Sequence, residues 1–150
     1  MGHRLEVRKA GPRDAKILAP LFDAYRRFYR QPSDVRAAER FLRRRLSRKE
    51  SVVFWVRQGG GALGFAQLYP TFSSITLKRL WILNDLYVLP DGRRQGVAIQ
   101  LMARARRLAL DTGAEGLYLE TAAGNRKARR LYEKLGWKRE REFYRYYDDV

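Results

Sequence analysis

The spacing of apolar residues changes along this chain, and the change separates predicted helices from predicted strands. Before residue 51, apolar residues recur every three or four positions, which predicts one amphipathic helix from Pro12 to Pro32 and another capped by Ser33 or Asp34. The buried positions would be Ile17, Leu18, Leu21, Phe22, Tyr25, Phe28, Val35, Ala38, Phe41, Leu42 and Leu46. Ahead of them, Arg4 to Lys9 alternate like a short edge strand.

From Ser51 onward, β-branched and aromatic residues predict strands. A hairpin is predicted from two such runs, SVVFWV and ALGFAQLY, with QGGG as the turn between them. A polar loop is expected over residues 70–78. RLWILNDLYV predicts a longer strand, but Asn84 and Asp85 interrupt its apolar run. Two polar residues in an otherwise buried strand indicate a bulge that aims them at a site.

The rest of the chain predicts a helix over residues 93–112, a strand at GLYLETA, a short helix from Gly124 to Leu135 and one or two closing strands from Trp137. A strand, a right-handed crossover helix and another strand imply one parallel pair. We therefore expect an α/β fold: a mixed, mostly antiparallel central sheet flanked by helices, in a single domain over residues 1–150.

Composition narrows the function classes only partly. No apolar run reaches membrane-helix length, the start lacks a signal-peptide pattern, and the absence of cysteine fits a reducing, cytoplasmic location without thiolate metal sites. We expect no metal and no membrane partner. The net charge of +16 would attract phosphate-bearing partners, but a bias towards arginine and solvated helix faces explain it equally, so the charge does not decide function. We do not expect a nucleic-acid partner, although ARARR (103–107) and NRKARR (125–130) keep a basic nucleic-acid-binding module as an alternative.

The segment RRQGVA (93–98) follows a predicted strand and opens a predicted helix. Helix N-termini present unpaired N–H groups and partial positive charge, so they bind phosphate, and Gly96 would let a phosphate approach the backbone. The alternative interpretation is that Gly96 eases helix packing and that Arg93 and Arg94 are simply solvated.

RRQGVA is similar to the acetyl-CoA signature of the GNAT superfamily of N-acetyltransferases, [Q/R]-x-x-G-x-[G/A], and NRKARRLYEKLGW (125–137) resembles that superfamily's second recurring stretch. The resemblance is strongest over residues 80–138. It implies direct acetyl transfer from acetyl-CoA to a primary amine of a small molecule or peptide. The residues expected to bind the cofactor are Leu86, Tyr87, Val88, Arg93, Arg94, Gln95, Gly96, Val97, Ala98, Ile99 and Asn125.

The resemblance also assigns catalytic roles. Tyr132 would protonate the departing thiolate. LWILNDLYV resembles the diamine acetyltransferase branch, but Asn84 stands where that branch often has a glutamate. Asp85 and Glu120 are the remaining candidates for the base, acting through a water, and a buried structural carboxylate is the alternative for Asp85.

The acceptor pocket is expected at the end of the first helix. Its candidate residues are Phe28, Tyr29, Gln31, Asn84 and the 71–77 loop, with Tyr29 at the rim. Tyr25 is expected to pack in the core, and His3 has no expected role. The aromatic closing stretch EFYRYYDDV favours a homodimer. An acetyl-CoA sensor without turnover stays open as a further alternative.

Overall fold

A computed structural model describes residues 5–150, so His3 and the predicted strand start at Arg4 lie outside the described residues. The chain divides into two compact units, Met1–Leu119 and Glu120–Val150.

The first unit is built on a five-stranded sheet with the order β1-β2-β3-β4-β5. The strands are β1 (Glu6–Lys9), β2 (Val52–Gln58), β3 (Gly61–Ser73), β4 (Lys78–Val88) and β5 (Gly116–Tyr118). Neighbouring strands pair antiparallel except β4 and β5, which pair parallel. The predicted mixed sheet with one parallel pair is therefore confirmed.

Helices cover both faces of this sheet. They are α1 (Ala15–Phe28), α2 (Val35–Ser47) and α3 (Val97–Asp111), and single 3-10 turns occupy Pro12–Asp14 and Pro90–Gly92. Leu18, Phe22 and Leu42 pack with Val53, Trp55 and Phe65 in one buried cluster, which places α1 and α2 on that face. Successive strand residues point to opposite faces, so Phe54 faces the other way and meets Arg104 of α3.

Several predicted boundaries are wrong. The loop expected from Pro70 is strand up to Ser73, because Tyr69 to Ser73 find partners on β4. The first helix ends at Phe28 rather than at Pro32. Val35 and Phe41, expected to be buried, are 42% and 40% exposed.

The second unit contains α4 (Arg126–Lys134), which ends before Gly136 as predicted. The closing strands expected from Trp137 are wrong, because residues 137–150 carry no strand. Aromatic alternation predicts a strand, but a strand also needs a hydrogen-bonded neighbour. Phe143, Tyr144, Tyr146 and Tyr147 are instead exposed. The strand expected over residues 116–122 is likewise wrong in length, ending at Tyr118.

Candidate active site

A β-bulge places a carboxylate opposite an amide in the middle of the sheet. Asp85 of β4 pairs with Gln67 of β3, and the next pair joins Leu83 to Leu68, so Asn84 is the extra residue. The bulge predicted from the polar interruption is confirmed. Because of it, Asp85 and Gln67 share the face on which Phe65 packs against α1. Sequence analysis did not assign Gln67 to the site, because a single glutamine in an apolar strand is also typical of an edge position.

The carboxylate of Asp85 is buried and held by two amide donors. Gln67 Nε2 donates to Oδ2 at 2.8 Å and Asn84 Nδ2 donates to Oδ1 at 3.1 Å, and the Tyr25 hydroxyl interacts with the same carboxylate. Asp85 is therefore a buried carboxyl group that neutral donors hold in place.

The other end of the Gln67 amide has no partner. Gln67 is fully buried, and no donor among the described residues reaches its Oε1. The amide orientation is fixed by chemistry, because turning it over would set Oε1 against the carboxylate of Asp85. An unpartnered buried acceptor costs about 1–3 kcal/mol. Such a cost at a polar site in the sheet interior indicates a ligand position.

Aromatic rings from α1 and β4 form a wall beside Asp85. Tyr25 lies 5.1 Å from Tyr29 and 5.7 Å from Tyr87 between ring centroids, and Phe28 lies 5.3 Å from Tyr29. Phe28 and Tyr29 are mostly exposed, so both rings are accessible at the end of α1. Tyr25, expected in the core, is half-buried and touches Asp85 directly.

The tyrosines near Asp85 stay protonated at neutral pH. Burial raises the pKa of Tyr25, and the charge of Asp85 and its hydrogen bond raise it further. Burial and the Asp85 charge also raise the pKa of Tyr69 to about 12, against a smaller opposing effect of Arg45. Both hydroxyls are therefore hydrogen-bond donors in this site.

A buried carboxylate on α1 fixes the connection to α2. Asp23 accepts hydrogen bonds from Asp34 N at 2.7 Å and Ser33 Oγ at 2.8 Å, and it pairs with Arg27 at 3.3 Å. Asp34, one of the two predicted caps, accepts from Ala37 N. Together these contacts hold the segment that follows the aromatic rim.

The predicted phosphate loop is a turn rather than the first turn of a helix. α3 begins at Val97, and Gly96 is its N-cap with φ +76°. The turn before α3 contains Arg93, Arg94 and Gln95. In this turn Gln95 Nε2 donates to Asp91 O at 2.6 Å, and Arg93 Nε donates to Val88 O at 3.3 Å. The expected helix start at residue 93 is wrong because Arg94 and Gly96 both have positive φ, which interrupts a right-handed helical backbone before Val97.

The start of α3 fits a phosphate group. The first intrahelical bond runs from Gln100 N to Gly96 O, so the N–H groups of Val97, Ala98 and Ile99 precede the hydrogen-bonded ladder. A Cβ placed on Gly96 would meet no atom within 4 Å. An anion could therefore reach these N–H groups without a steric barrier from the glycine.

One edge of β4 is open next to this turn. β5 pairs with β4 only from Leu80 to Ile82, so β5 does not cover the edge at Leu86, Tyr87 and Val88. A strand edge of this kind can hydrogen-bond an extended ligand as an added strand would.

The predicted residues of the second unit hold local contacts. Asn125 caps α4 by accepting from Ala128 N at 3.2 Å. Tyr132 packs against Trp137 with ring centroids 6.3 Å apart. Glu120 was expected on a strand and instead lies outside β5, where its carboxylate pairs with Arg145.

Residues 5–150 contain neither a metal cluster nor a membrane-spanning helix. No group of three or more histidine, aspartate or glutamate side chains in that range could hold a metal ion. No helix in that range is both long and apolar enough to span a bilayer.

Comparison with known proteins agrees with this geometry. Residues 18–137 match the acetyltransferase (GNAT) family. An uncharacterized N-acetyltransferase of Bacillus subtilis (strain 168), YhfO, is 46% identical over 142 residues, which are 95% of each chain. A crystal structure of a probable acetyltransferase superposes with a TM-score of 0.90 at 40% identity, covering 97% of each chain.

A more distant likeness supports the fold alone. The aminoglycoside N-acetyltransferase AAC(6')-Iy, solved in complex with CoA, has a TM-score of 0.81 at 20% identity and covers 100% of this chain and 98% of its own. The family match spans most of the chain, and the relative in Bacillus subtilis is similar over nearly its whole length. The chain therefore belongs to the GNAT family of acetyltransferases and is an N-acetyltransferase.

Proposed function

We propose that this enzyme transfers the acetyl group of acetyl-CoA directly to a primary amine of a small molecule or peptide, with Asp85 as the residue that receives the amine. The observation that carries this proposal is the buried carboxylate of Asp85, which lies beside aromatic rings and is held by neutral donors. The carboxylate draws an ammonium group in and accepts its proton through a water, which frees the amine lone pair.

The turn before α3 and the open edge of β4 support the cofactor assignment. Val97, Ala98 and Ile99 would hold the pyrophosphate with their N–H groups, and Leu86 to Val88 would hold the pantetheine arm with their backbone groups. Arg93 and Arg94 add positive charge at the same turn. AAC(6')-Iy, which shares the fold, was solved with CoA.

Bound acetyl-CoA supplies the thioester carbonyl that the amine attacks and the thiolate that leaves. Tyr132 would donate a proton to that thiolate, since its position matches the tyrosine of the second family stretch. Asn125, the cap of α4, belongs to the same stretch and is proposed to contact the cofactor. Glu120 pairs with Arg145, which favours Asp85 over Glu120 as the base.

We also propose that the enzyme works in the cytoplasm as a homodimer. The chain has no cysteine and therefore forms no disulfide, which is compatible with a reducing compartment. The exposed aromatic side chains of residues 143–147 offer a surface that a second copy could cover.

Calorimetric titration with acetyl-CoA and CoA, at low and moderate salt and beside a short RNA, tests the cofactor assignment. We expect saturable micromolar binding of both nucleotides. Salt-sensitive binding of RNA without binding of acetyl-CoA would support a nucleic-acid-binding module instead.

Replacing Tyr132 with Phe separates an enzyme from an acetyl-CoA sensor. We expect the rate of thiol release with an amine acceptor to fall about 100-fold, since general-acid catalysis contributes that much or more. Acetyl-CoA affinity should change less than about twofold, because the substitution removes only a hydroxyl. A wild-type protein that binds acetyl-CoA but releases no thiol with any amine would be a sensor.

A further inference from the structure

The unpartnered Oε1 of Gln67 lies at a distance from Asp85 that suits one nitrogen atom. Amide bond lengths keep Oε1 within about 2.3 Å of Nε2. Since Nε2 lies 2.8 Å from Asp85 Oδ2, the two oxygens are at most about 5 Å apart. A tetrahedral nitrogen donating at about 2.9 Å in two directions reaches acceptors up to about 4.7 Å apart. Asp85 and the Oε1 of Gln67 are therefore close enough for the two N–H bonds of one amine to reach one acceptor each.

Hydrogen-bond accounting leaves room for that amine on Asp85. A carboxylate offers about four acceptor positions. Two are used by Gln67 Nε2 and Asn84 Nδ2. The other positions can take one N–H bond of a primary amine and the proton that the amine loses through a water, while Oε1 of Gln67 accepts the second N–H bond.

We propose that Gln67 is a specificity-determining residue that restricts the acceptor to primary amines by accepting one of their two N–H bonds while Asp85 accepts the other. This inference rests on the proposed acetyl transfer. With both N–H bonds held, the lone pair of R–NH2 points away from the pair and is available for attack. A secondary amine has one N–H bond, so it leaves one buried acceptor unpaired whenever its lone pair is exposed.

The exposed aromatic rings at the end of α1 indicate which amines are suitable test substrates. Phe28 and Tyr29 expose their rings beside the residue that hydrogen-bonds Asp85, so an aryl group can lie against them. Suitable probes are benzylamine and tyramine, each paired with its N-methyl derivative. The benzyltrimethylammonium ion serves as a probe that has the charge but no N–H bond.

The experiment compares kcat/KM for each amine and its N-methyl derivative in three proteins. We expect wild type to prefer the primary amine by about 100-fold or more. Gln67→Met keeps a side chain of similar length without the acceptor and should reduce that preference to less than about tenfold, mainly by losing rate on the primary amine. Gln58→Met changes an exposed glutamine on β2 and should behave like wild type.

Gln67→Glu adds a readout that a purely structural role would not give. When protonated, the new carboxyl group can donate to Asp85 and still offer its carbonyl oxygen, so it mimics the amide. When ionised, it repels Asp85. We expect the primary-amine preference to persist at acidic pH and to disappear as pH rises, whereas wild type should keep it throughout.

Two outcomes overturn the inference. One is an unchanged preference in a Gln67→Met protein that unfolds cooperatively and binds acetyl-CoA, and the other is equal use of both amines by wild type. If wild type acetylates none of the probes, the side-chain amide NMR signal of Gln67 decides. Benzylammonium should shift it saturably and benzyltrimethylammonium should not, and the absence of a shift overturns the proposal. Failure of acetyl-CoA to bind would instead reject the proposed function.

Discussion

At the scale of single residues, the site depends on one buried charge whose partners are all neutral donors. Asp85 is 6% exposed, and its hydrogen bonds come from the amides of Gln67 and Asn84. In the proposed reaction Asp85 is ionised, so a cation that enters this site gains a strong attraction in a low-dielectric setting. In that case the overall charge of +16 does not prevent amine binding, because the carboxylate is the charge nearest the amine.

Asp85→Asn should abolish most transfer while preserving the fold. The amide has the size of the carboxylate but neither attracts the ammonium nor accepts its proton, so kcat/KM for an amine should fall about 1000-fold. Initial rates of thiol release across pH 6–9 provide the measurement. Asp91→Asn, in the exposed turn before α3, is the control and should stay near wild type. A fall of less than tenfold in Asp85→Asn would remove Asp85 as the base.

At the scale of elements, one buried carboxylate, Asp23, stabilises the junction between α1 and α2. Burial alone would raise the pKa of Asp23 on α1. The hydrogen bonds from Asp34 and Ser33 and the charges of Arg27 and Arg26 outweigh it and lower that pKa. The lowered pKa means that the ionised carboxylate stabilises the folded state, in which it joins α1 to the start of α2.

Asp23→Ala should lower the free energy of unfolding by about 3 kcal/mol at pH 7, since it leaves buried donors unpaired. The folded pKa lies below the unfolded one, so this contribution is full above the unfolded value near 3.8 and is lost as pH falls through the folded pKa. Urea unfolding at pH 7 and at about pH 3 should show the difference from wild type shrinking with acid. Asp111→Ala, which removes an exposed pair with Arg107, should cost less than about 1 kcal/mol.

The two glycines that bound α3 allow a matched test of the phosphate site. Gly96 and Gly113 have φ of +76° and +66°, and a Cβ at either would meet no atom within 4 Å. Because alanine is strained at a positive φ, replacing either glycine with alanine should lower the free energy of unfolding by a similar amount, about 1–2 kcal/mol. Only Gly96→Ala should also weaken acetyl-CoA binding, by about tenfold or more, in calorimetry. Equal affinity in both variants would contradict the assignment of the α3 N-terminus.

At the scale of the whole molecule, the sequence predicts elements better than the partners of those elements. Helical periods, the Gly113 stop and the bulge at Asn84 are local, and all three are confirmed. Strand ends depend on neighbours: the strand through Tyr69 continues because β4 lies beside it, whereas the aromatic tail has no such neighbour. Gln67 was missed for the same reason, because its partner Asp85 lies 18 residues away. The cofactor and catalytic assignments came from the family resemblance and remain predictions.

The exposed tail leads to a prediction about assembly. Tyr144 and Tyr146 are 87% and 92% exposed. If a second copy covers them, the mass in sedimentation velocity should be twice the 17.6 kDa of one chain. The double variant Tyr144→Asp, Tyr146→Asp should then sediment as a monomer, whereas Lys138→Glu, with the same net charge change, should remain dimeric. A monomeric wild type at micromolar concentration would reject the homodimer.

The bulge at Asn84 has a consequence for how such a gene can vary. Asp85 already faces Gln67 and Leu83 already faces Leu68, so removing the residue between them would leave every other strand partner unchanged. An in-frame loss of this one codon would therefore delete a donor to Asp85 and straighten the strand without shifting any other pairing. Lineages could gain or lose this position in a single step, and aligned descendants would show a one-residue gap inside a strand, where gaps are otherwise rare.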